Sequence, residues 1–279
     1  MKLRASLQHR LPENLLEVVP SSFDIIGSRE KAVAIVEIPC ELNKHALLIA
    51  DAIMEQHKNV KSVLRKKTQR KGELRLREFT LIKGDPDTEV IHMESGCRFR
   101  LDPRKTYFSP RESTERERIA KLVASGEEVL VMFSGVGPFA IVIARKNPTV
   151  RCTCIELNPD AHRYCLENIR LNHLEGRVQA LEGDVRDVCP KLGKQFDRVL
   201  TPLPKGAHRF LDVAIPMVKP GGILHFYHWA PESDLYSEAY HLIENTAKKL
   251  QRTVEPLGGV KVSKYSPGFY KVRVDARIH

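Results

Sequence analysis

The sequence predicts an α/β protein in two parts. A small α+β domain covers residues 1–107, and residues 108–279 form a mostly parallel sheet with helices on both faces, closed by an antiparallel hairpin. Three features point there. From Glu128 onward, short apolar runs alternate with helical patterns, the mark of parallel strands joined by crossover helices. The first of these runs leads into a glycine-containing turn, Ser134-Gly135-Val136-Gly137-Pro138, and then a helix. The chain closes with two β-rich runs, about Thr253–Tyr265 and Phe269–Ile278, on either side of Ser266-Pro267-Gly268.

In the first domain, Leu15–Val19 reads as a short helix, and Ala32–Ile38 as a strand stopped by Pro39. Leu42–His57 has a helical apolar side made by Ala46, Leu47, Ile49, Ala50 and Ile53. Strands follow over Val60–Leu64, Glu73–Ile82, Val90–Met93 and Cys97–Leu101, separated by glycine-bearing breaks. Basic residues crowd Lys61–Arg77, against one acid, Glu73. Arg65, Lys66, Lys67, Arg70 and Lys71 make this stretch a candidate surface for a phosphate backbone. The plainer reading is a solvated basic hairpin.

Tyr107–Arg118 is the junction. Ser113 or Thr114 is placed to cap a helix running to about Ala124. Glu115 falls in its first turn, where the helix dipole favours a carboxylate in any case. The parallel sheet then takes shape as strands Val129–Phe133, Cys152–Leu157, Val178–Leu181, Arg198–Leu200 and Ile223–His228. The intervening helices are Phe139–Arg145, one from Asn158-Pro159 to Asn172, and Ala207–Val218, with a polar helix over Ser233–Leu250. Gly135, Glu156, Asp184 and Pro202-Leu203-Pro204 all fall at C-terminal strand ends, where such sheets bind ligands. Gly135-Val136-Gly137-Pro138-Phe139-Ala140 lacks the third glycine of a dinucleotide turn. With Glu156 ending the second strand, able to accept from ribose hydroxyls, the turn reads as a nucleoside site.

Net charge is +10, which favours an anionic partner, most simply a nucleic acid. The six cysteines form no C-x-x-C pair and have no histidine cluster, so no metal site is expected. No apolar run is long enough to cross a membrane, and the N-terminus lacks the apolar core of a signal peptide. We expect a cytoplasmic monomer.

Six segments, YFSPRESTER, MFSGVGPFAI, IELNPDAHRYCLENIRLN, GDVRDV, DRVLTPLPKGAHRFLDVA and GGILHFYHW, in this order, resemble the archaeal and eukaryotic tRNA (guanine-37 N1)-methyltransferases. The resemblance covers roughly Arg75–His279 and lacks the extra N-terminal domain of longer members. It implies a class I, Rossmann-like methyltransferase fold, S-adenosylmethionine as cofactor and the anticodon stem-loop of tRNA as partner. On matching positions it implies Glu115 as general base, Arg75 as the cation facing the guanine oxygen, and Arg111 and Tyr107 shaping the guanine pocket. Arg116, Phe133, Gly135, Glu156, Leu157, Asp184, Val185 and Pro202 would meet the cofactor, and Leu203 and Pro204 the target base. Two positions depart from the family pattern: Val131 stands where an acid is usual, and Pro202 where an Asn is usual.

Related wybutosine-pathway aminocarboxypropyl transferases resemble the chain in the same motifs but lack the Pro-Arg of YFSPR and the Leu-Pro after strand four. A tRNA-binding protein with a degenerate cofactor pocket is the reading that Val131 and Pro202 would support. A nicotinamide oxidoreductase lacks support, for want of the third glycine and a hydride-transfer acid.

Overall fold

A computed structural model describes residues 3–67, 77–203 and 206–279. The chain divides into two compact units, Met1–Pro110 and Arg111–His279.

In the first unit, the one-turn helices α1 (Leu3–Ser6) and α2 (Glu13–Leu16) precede β1 (Asp24–Gly27) and β2 (Ala32–Val36). A 3₁₀ turn, Cys40–His45, leads into α3 (Ala46–Gln56), then β3 (Val60–Lys66) and β4 (Phe79–Gly84). These make a four-stranded sheet in the order β1-β2-β3-β4, with only β2 and β3 parallel. Its core joins Leu3, Leu7 and Leu11 to Ile49 and Ile53 of α3 and to the fully buried β2. β5 (Val90–Glu94) and β6 (Cys97–Leu101) form a separate hairpin. The sequence reading missed β1, because four residues are too few to show a period. It also began the Glu73–Ile82 strand too early: β4 starts at Phe79, and residues 73–76 lie outside the described residues.

In the second unit, α4 (Ser113–Leu122) leads into β7 (Glu128–Met132), α5 (Pro138–Lys146), β8 (Arg151–Glu156), α6 (Pro159–Leu171) and β9 (Val178–Glu182). Then come α7 (Val185–Val188), β10 (Phe196–Thr201), α8 (Leu211–Ala214), β11 (Val218–Pro231), α9 (Ser237–Lys249), β12 (Val254–Ser266) and β13 (Phe269–Ile278). The seven strands lie in the order β12-β13-β11-β10-β7-β8-β9. β9, β8, β7, β10 and β11 are parallel, while β13 runs antiparallel between β11 and β12. Consecutive strands leave β7 in opposite directions, so the switch point lies between β7 and β10, where such sheets bind ligands.

Three expectations need correction here. Neither Ser113 nor Thr114 caps α4. The N-cap is Glu112, and the Lys271 ammonium holds its carboxylate at 2.8 Å. Ala207–Val218 is not one helix but a 3₁₀ turn, the single turn α8 and a second 3₁₀ turn; Pro216 cannot donate to a helical ladder. β11 begins at Val218, because its backbone continues through Pro220-Gly221-Gly222 instead of breaking there.

The turn after β7 is sterically exacting. Gly137 has φ 84°, and a Cβ there would sit 2.7 Å from Cys165 Sγ on α6. Gly137→Ala is expected to lose about 1–3 kcal/mol in chemical denaturation, from both the left-handed backbone and the contact. Adding Cys165→Ala should recover only the contact's share.

Candidate active site

The ligand turn is built from β7 outward. Phe133 leaves the strand at φ 56°, a left-handed conformation that costs a bulky residue energy and here turns the chain toward Gly135. Its ring meets Phe210 edge-on at 4.9 Å. The Ser134 N–H donates to Ile155 O at 2.9 Å, and the Gly137 N–H closes the turn on Ser134 O at 3.0 Å. Glu156, at the end of β8, reaches across: Gly135 N–H donates to its Oε2 at 2.6 Å and Asn158 N–H to its Oε1 at 2.9 Å. Burial pushes the Glu156 carboxyl above its ordinary range, against the pull of these backbone bonds. Ser134 Oγ is buried with no hydrogen-bond partner among the described residues. A carboxylate with lone pairs to spare, an orphan hydroxyl and a glycine turn fit the ribose and tail of an adenosine-based group. Farther along the same edge, Asp184 caps α7 by accepting from Arg186 N–H at 2.8 Å, and Val185 is buried behind it. After β10, Leu203 N–H donates to Thr201 O at 2.7 Å, drawing Pro202 and Leu203 into a tight turn. Leu157 is exposed, Arg116 is buried, and Val131 is buried within β7.

Beneath α4 lies a polar ladder that the sequence reading did not find. Residues two apart share a strand face. On β11 these are His225, Tyr227 and Trp229; on β13 they are Asp275, Arg273 and Lys271, paired in that register. Arg273 donates to Asp275 through Nε to Oδ1 at 2.8 Å and Nη2 to Oδ2 at 3.1 Å. Its remaining arm, Nη1, donates to Glu115 Oε1 at 2.5 Å, and the Tyr227 hydroxyl donates to the same oxygen at 2.9 Å. Glu115 is 1% exposed. Its Oε2 has no hydrogen-bond partner among the described residues, and the nearest recorded cation is Arg118 at 3.7 Å. The Tyr227 ring packs on Phe139, the second residue of α5, at 6.0 Å. One aromatic pair therefore links Glu115 to the glycine turn.

The ladder continues inward. Arg198, clamped by Glu127 at 2.8 Å, donates through Nη1 to His225 Nε2 at 2.7 Å. The proton of the neutral ring is therefore on Nδ1, which donates to Asp275 Oδ1 at 2.5 Å. Burial holds His225 below its ordinary range despite Asp275. Burial alone would raise Asp275, but the bonds from His225 and Arg273 hold it below the ordinary carboxylate range. Burial first, then the Glu115 carboxylate, pushes the Tyr227 phenol well above the ordinary tyrosine range. The trace in the sequence is polar residues at a period of two, His225-Phe226-Tyr227 and Lys271-Val272-Arg273-Val274-Asp275, which by themselves do not say that the two strands pair.

Most of the remaining candidates lie in the first unit, with Arg111 and Pro204 in the second. Tyr107 lines a cleft with Lys66 and Arg77. Lys66 lies 3.6 Å from Glu37, and Lys67 lies 4.0 Å from Glu78. Arg65 donates to Ile38 O at 2.8 Å, so part of its guanidinium serves the fold. Arg111 is exposed in the 3₁₀ turn before α4. Arg70, Lys71, Arg75 and Pro204 lie outside the described residues. Among the described residues no His, Cys, Asp and Glu cluster could hold a metal, and no helix is long and apolar enough to cross a membrane.

A family profile described as the TRM5/TYW2 methyltransferase domain matches residues 90–255, and one described as the TYW2 N-terminal domain matches residues 3–88. The chain belongs to the TRM5/TYW2 methyltransferase family. Within that family it is 43% identical to the tRNA (guanine(37)-N(1))-methyltransferase Trm5b of Pyrococcus abyssi, over 96% of this chain and 78% of that protein. It is 32% identical to the tRNA(Phe) (4-demethylwyosine(37)-C(7)) aminocarboxypropyltransferase of Pyrococcus horikoshii, over 99% of this chain and 96% of that protein. Its fold matches the crystal structure of P. horikoshii TYW2 in complex with MeSAdo with a TM-score of 0.81 at 30% identity, covering 99% and 97% of the two chains. The TRM5/TYW2 chain is thus a class I methyltransferase fold, and the expected fold class stands.

The ladder makes a pH prediction. On unfolding, His225 regains its ordinary affinity for protons near pH 6.5, which the folded site refuses. Stability therefore falls as pH drops below 6.5. Denaturant midpoints measured against pH should show this slope, and His225→Gln should flatten it.

Proposed function

We propose that the chain transfers a methyl group from S-adenosylmethionine to N1 of guanosine 37 in tRNA, with Glu115 as general base. The observation that carries this reading is the Glu115 carboxylate, with Oε1 fixed by two donors and Oε2 without a hydrogen-bond partner among the described residues. Guanine N1 holds a proton at neutral pH, and its lone pair is committed to the ring. Methylation needs that proton removed, and a desolvated, anchored carboxylate oxygen suits the task. The cofactor, when bound, supplies a methyl group already activated by a sulfonium. Glu156 would hold its ribose, Asp184 and Val185 its adenine, and Phe133, Gly135, Leu157, Arg116 and Pro202 its remaining surface. Arg75 would face the charge that builds on the guanine oxygen, with Tyr107, Arg111, Leu203 and Pro204 shaping the pocket of a base drawn out of its stack. The first unit, with Arg65, Lys66, Lys67, Arg70 and Lys71, would grip the anticodon stem-loop by its phosphates. The enzyme would act as a cytoplasmic monomer.

A second reading, aminocarboxypropyl transfer to a modified guanosine 37, is favoured by two observations. The chain covers 96% of the P. horikoshii transferase, and its first residues match the TYW2 N-terminal domain. The two reactions leave different parts of the cofactor behind: S-adenosylhomocysteine after methyl transfer, methylthioadenosine after aminocarboxypropyl transfer. Chromatography of the spent cofactor is expected to give the former. Glu115→Gln keeps the shape but cannot accept the proton. Single-turnover methyl transfer should fall by about 10²–10⁴-fold, while cofactor affinity in calorimetry stays near that of the unmodified enzyme. Full activity in this variant would remove Glu115 from the role of base.

A further inference from the structure

Glu115 does not stand alone on its helix. Among the described residues of the second unit, the charged and titratable partners of Glu115 come from three elements. Arg118 lies on α4 itself, Tyr227 on β11 and Arg273 on β13. One contact farther lie Asp275, which grips two arms of Arg273, and Lys271, which is bonded to Glu112 and sits 4.9 Å from the Tyr227 ring. α5 contributes the apolar Phe139, which packs on the Tyr227 ring. Both donors to Glu115 are buried and aimed at one oxygen. Arg273 is 2% exposed and Tyr227 is fully buried. Arg273 is held from behind by the His225–Asp275 pair.

We propose that Arg273 and Tyr227 are positioning residues for Glu115, fixing Oε1 so that Oε2 alone is presented to the proton being removed. The inference rests on the reading of Glu115 as general base and goes beyond it, because it assigns the control of that base to the strand pair β11–β13. The chemistry is specific. A cation and a hydroxyl that donate to the same oxygen hold the carboxylate in one orientation and leave the other oxygen as the acceptor. Losing either donor frees the carboxylate to turn, so Oε2 is aimed at the proton less of the time. The chemical step should then slow while the affinities for cofactor and tRNA hold. A merely structural contact, when lost, would weaken binding along with the rate.

The test is the rate of single-turnover methyl transfer to a tRNA transcript, read beside the affinities for cofactor and tRNA, with Tyr227→Phe, Arg273→Lys, Arg273→Gln and Glu115→Gln measured beside the unmodified enzyme. Tyr227→Phe removes one hydroxyl and keeps the ring on Phe139, so it tests the inference even if the arginine variants melt early. The expected result is a rate about 3–10-fold lower in Tyr227→Phe and about 10²-fold lower in Arg273→Gln, with both affinities near those of the unmodified enzyme. Arg273→Lys, which keeps the charge and loses the fork, should fall between. Unchanged rates in Tyr227→Phe and Arg273→Lys, or rates that fall only as far as the affinities fall, would overturn the positioning role. The base reading would still stand if Glu115→Gln were inactive. An active Glu115→Gln enzyme would overturn the base reading itself, whatever the other variants did.

Discussion

The buried contact between Glu115 and Arg273 joins the beginning and the end of the second unit. The two residues lie 158 positions apart, one on the helix that enters the unit and one on its last strand. Arg273 reaches Glu115 because the antiparallel register of β13 on β11 sets it opposite Tyr227, on the face that meets Glu115 of α4. Removing one partner of such a pair typically costs about 3–5 kcal/mol, because the other is left charged and dry. The placement of α4, and with it the candidate base, thus depends on the C-terminal hairpin having docked in register. A slip of one residue in β13 would turn Arg273 and Asp275 to the opposite face and leave Glu115 without its cation.

Two acids of the second unit, part-buried Glu156 at the end of β8 and fully buried Glu115 on α4, are held by different means. Among the described residues Glu156 is held by backbone N–H groups, including those of Gly135 and Asn158, and burial pushes its carboxyl up. Glu115 has a full positive charge and a hydroxyl on one oxygen. The first arrangement suits a carboxylate that accepts further hydrogen bonds from ligand hydroxyls. The second suits one that takes a proton on a single, directed oxygen. The Tyr227–Phe139 contact ties the two arrangements together through the start of α5.

The parallel sheet was legible because its strands are apolar runs with turn residues between them, and local pattern suffices to place Gly135, Glu156 and Asp184 at strand ends. Glu115 was singled out by resemblance; on composition alone it could have been a residue favoured by the helix dipole. The ladder was not legible. His225, Tyr227, Arg273 and Asp275 are ordinary polar residues in sequence, and nothing local says that β13 pairs with β11, or that α4 covers their shared face. Short elements also escaped: β1 is too brief for a period, and the segment from Ala207 to Met217 keeps a helical composition while Pro216 breaks its ladder.

The most direct test of the central claim is where the transferred group ends up. An unmodified tRNA transcript bearing guanosine 37 is incubated with the enzyme and S-adenosylmethionine, digested to nucleosides and mapped by mass spectrometry. The account predicts 1-methylguanosine at position 37 and at no other guanosine. Methyl on another atom, an aminocarboxypropyl adduct, or no transfer to this transcript would contradict it.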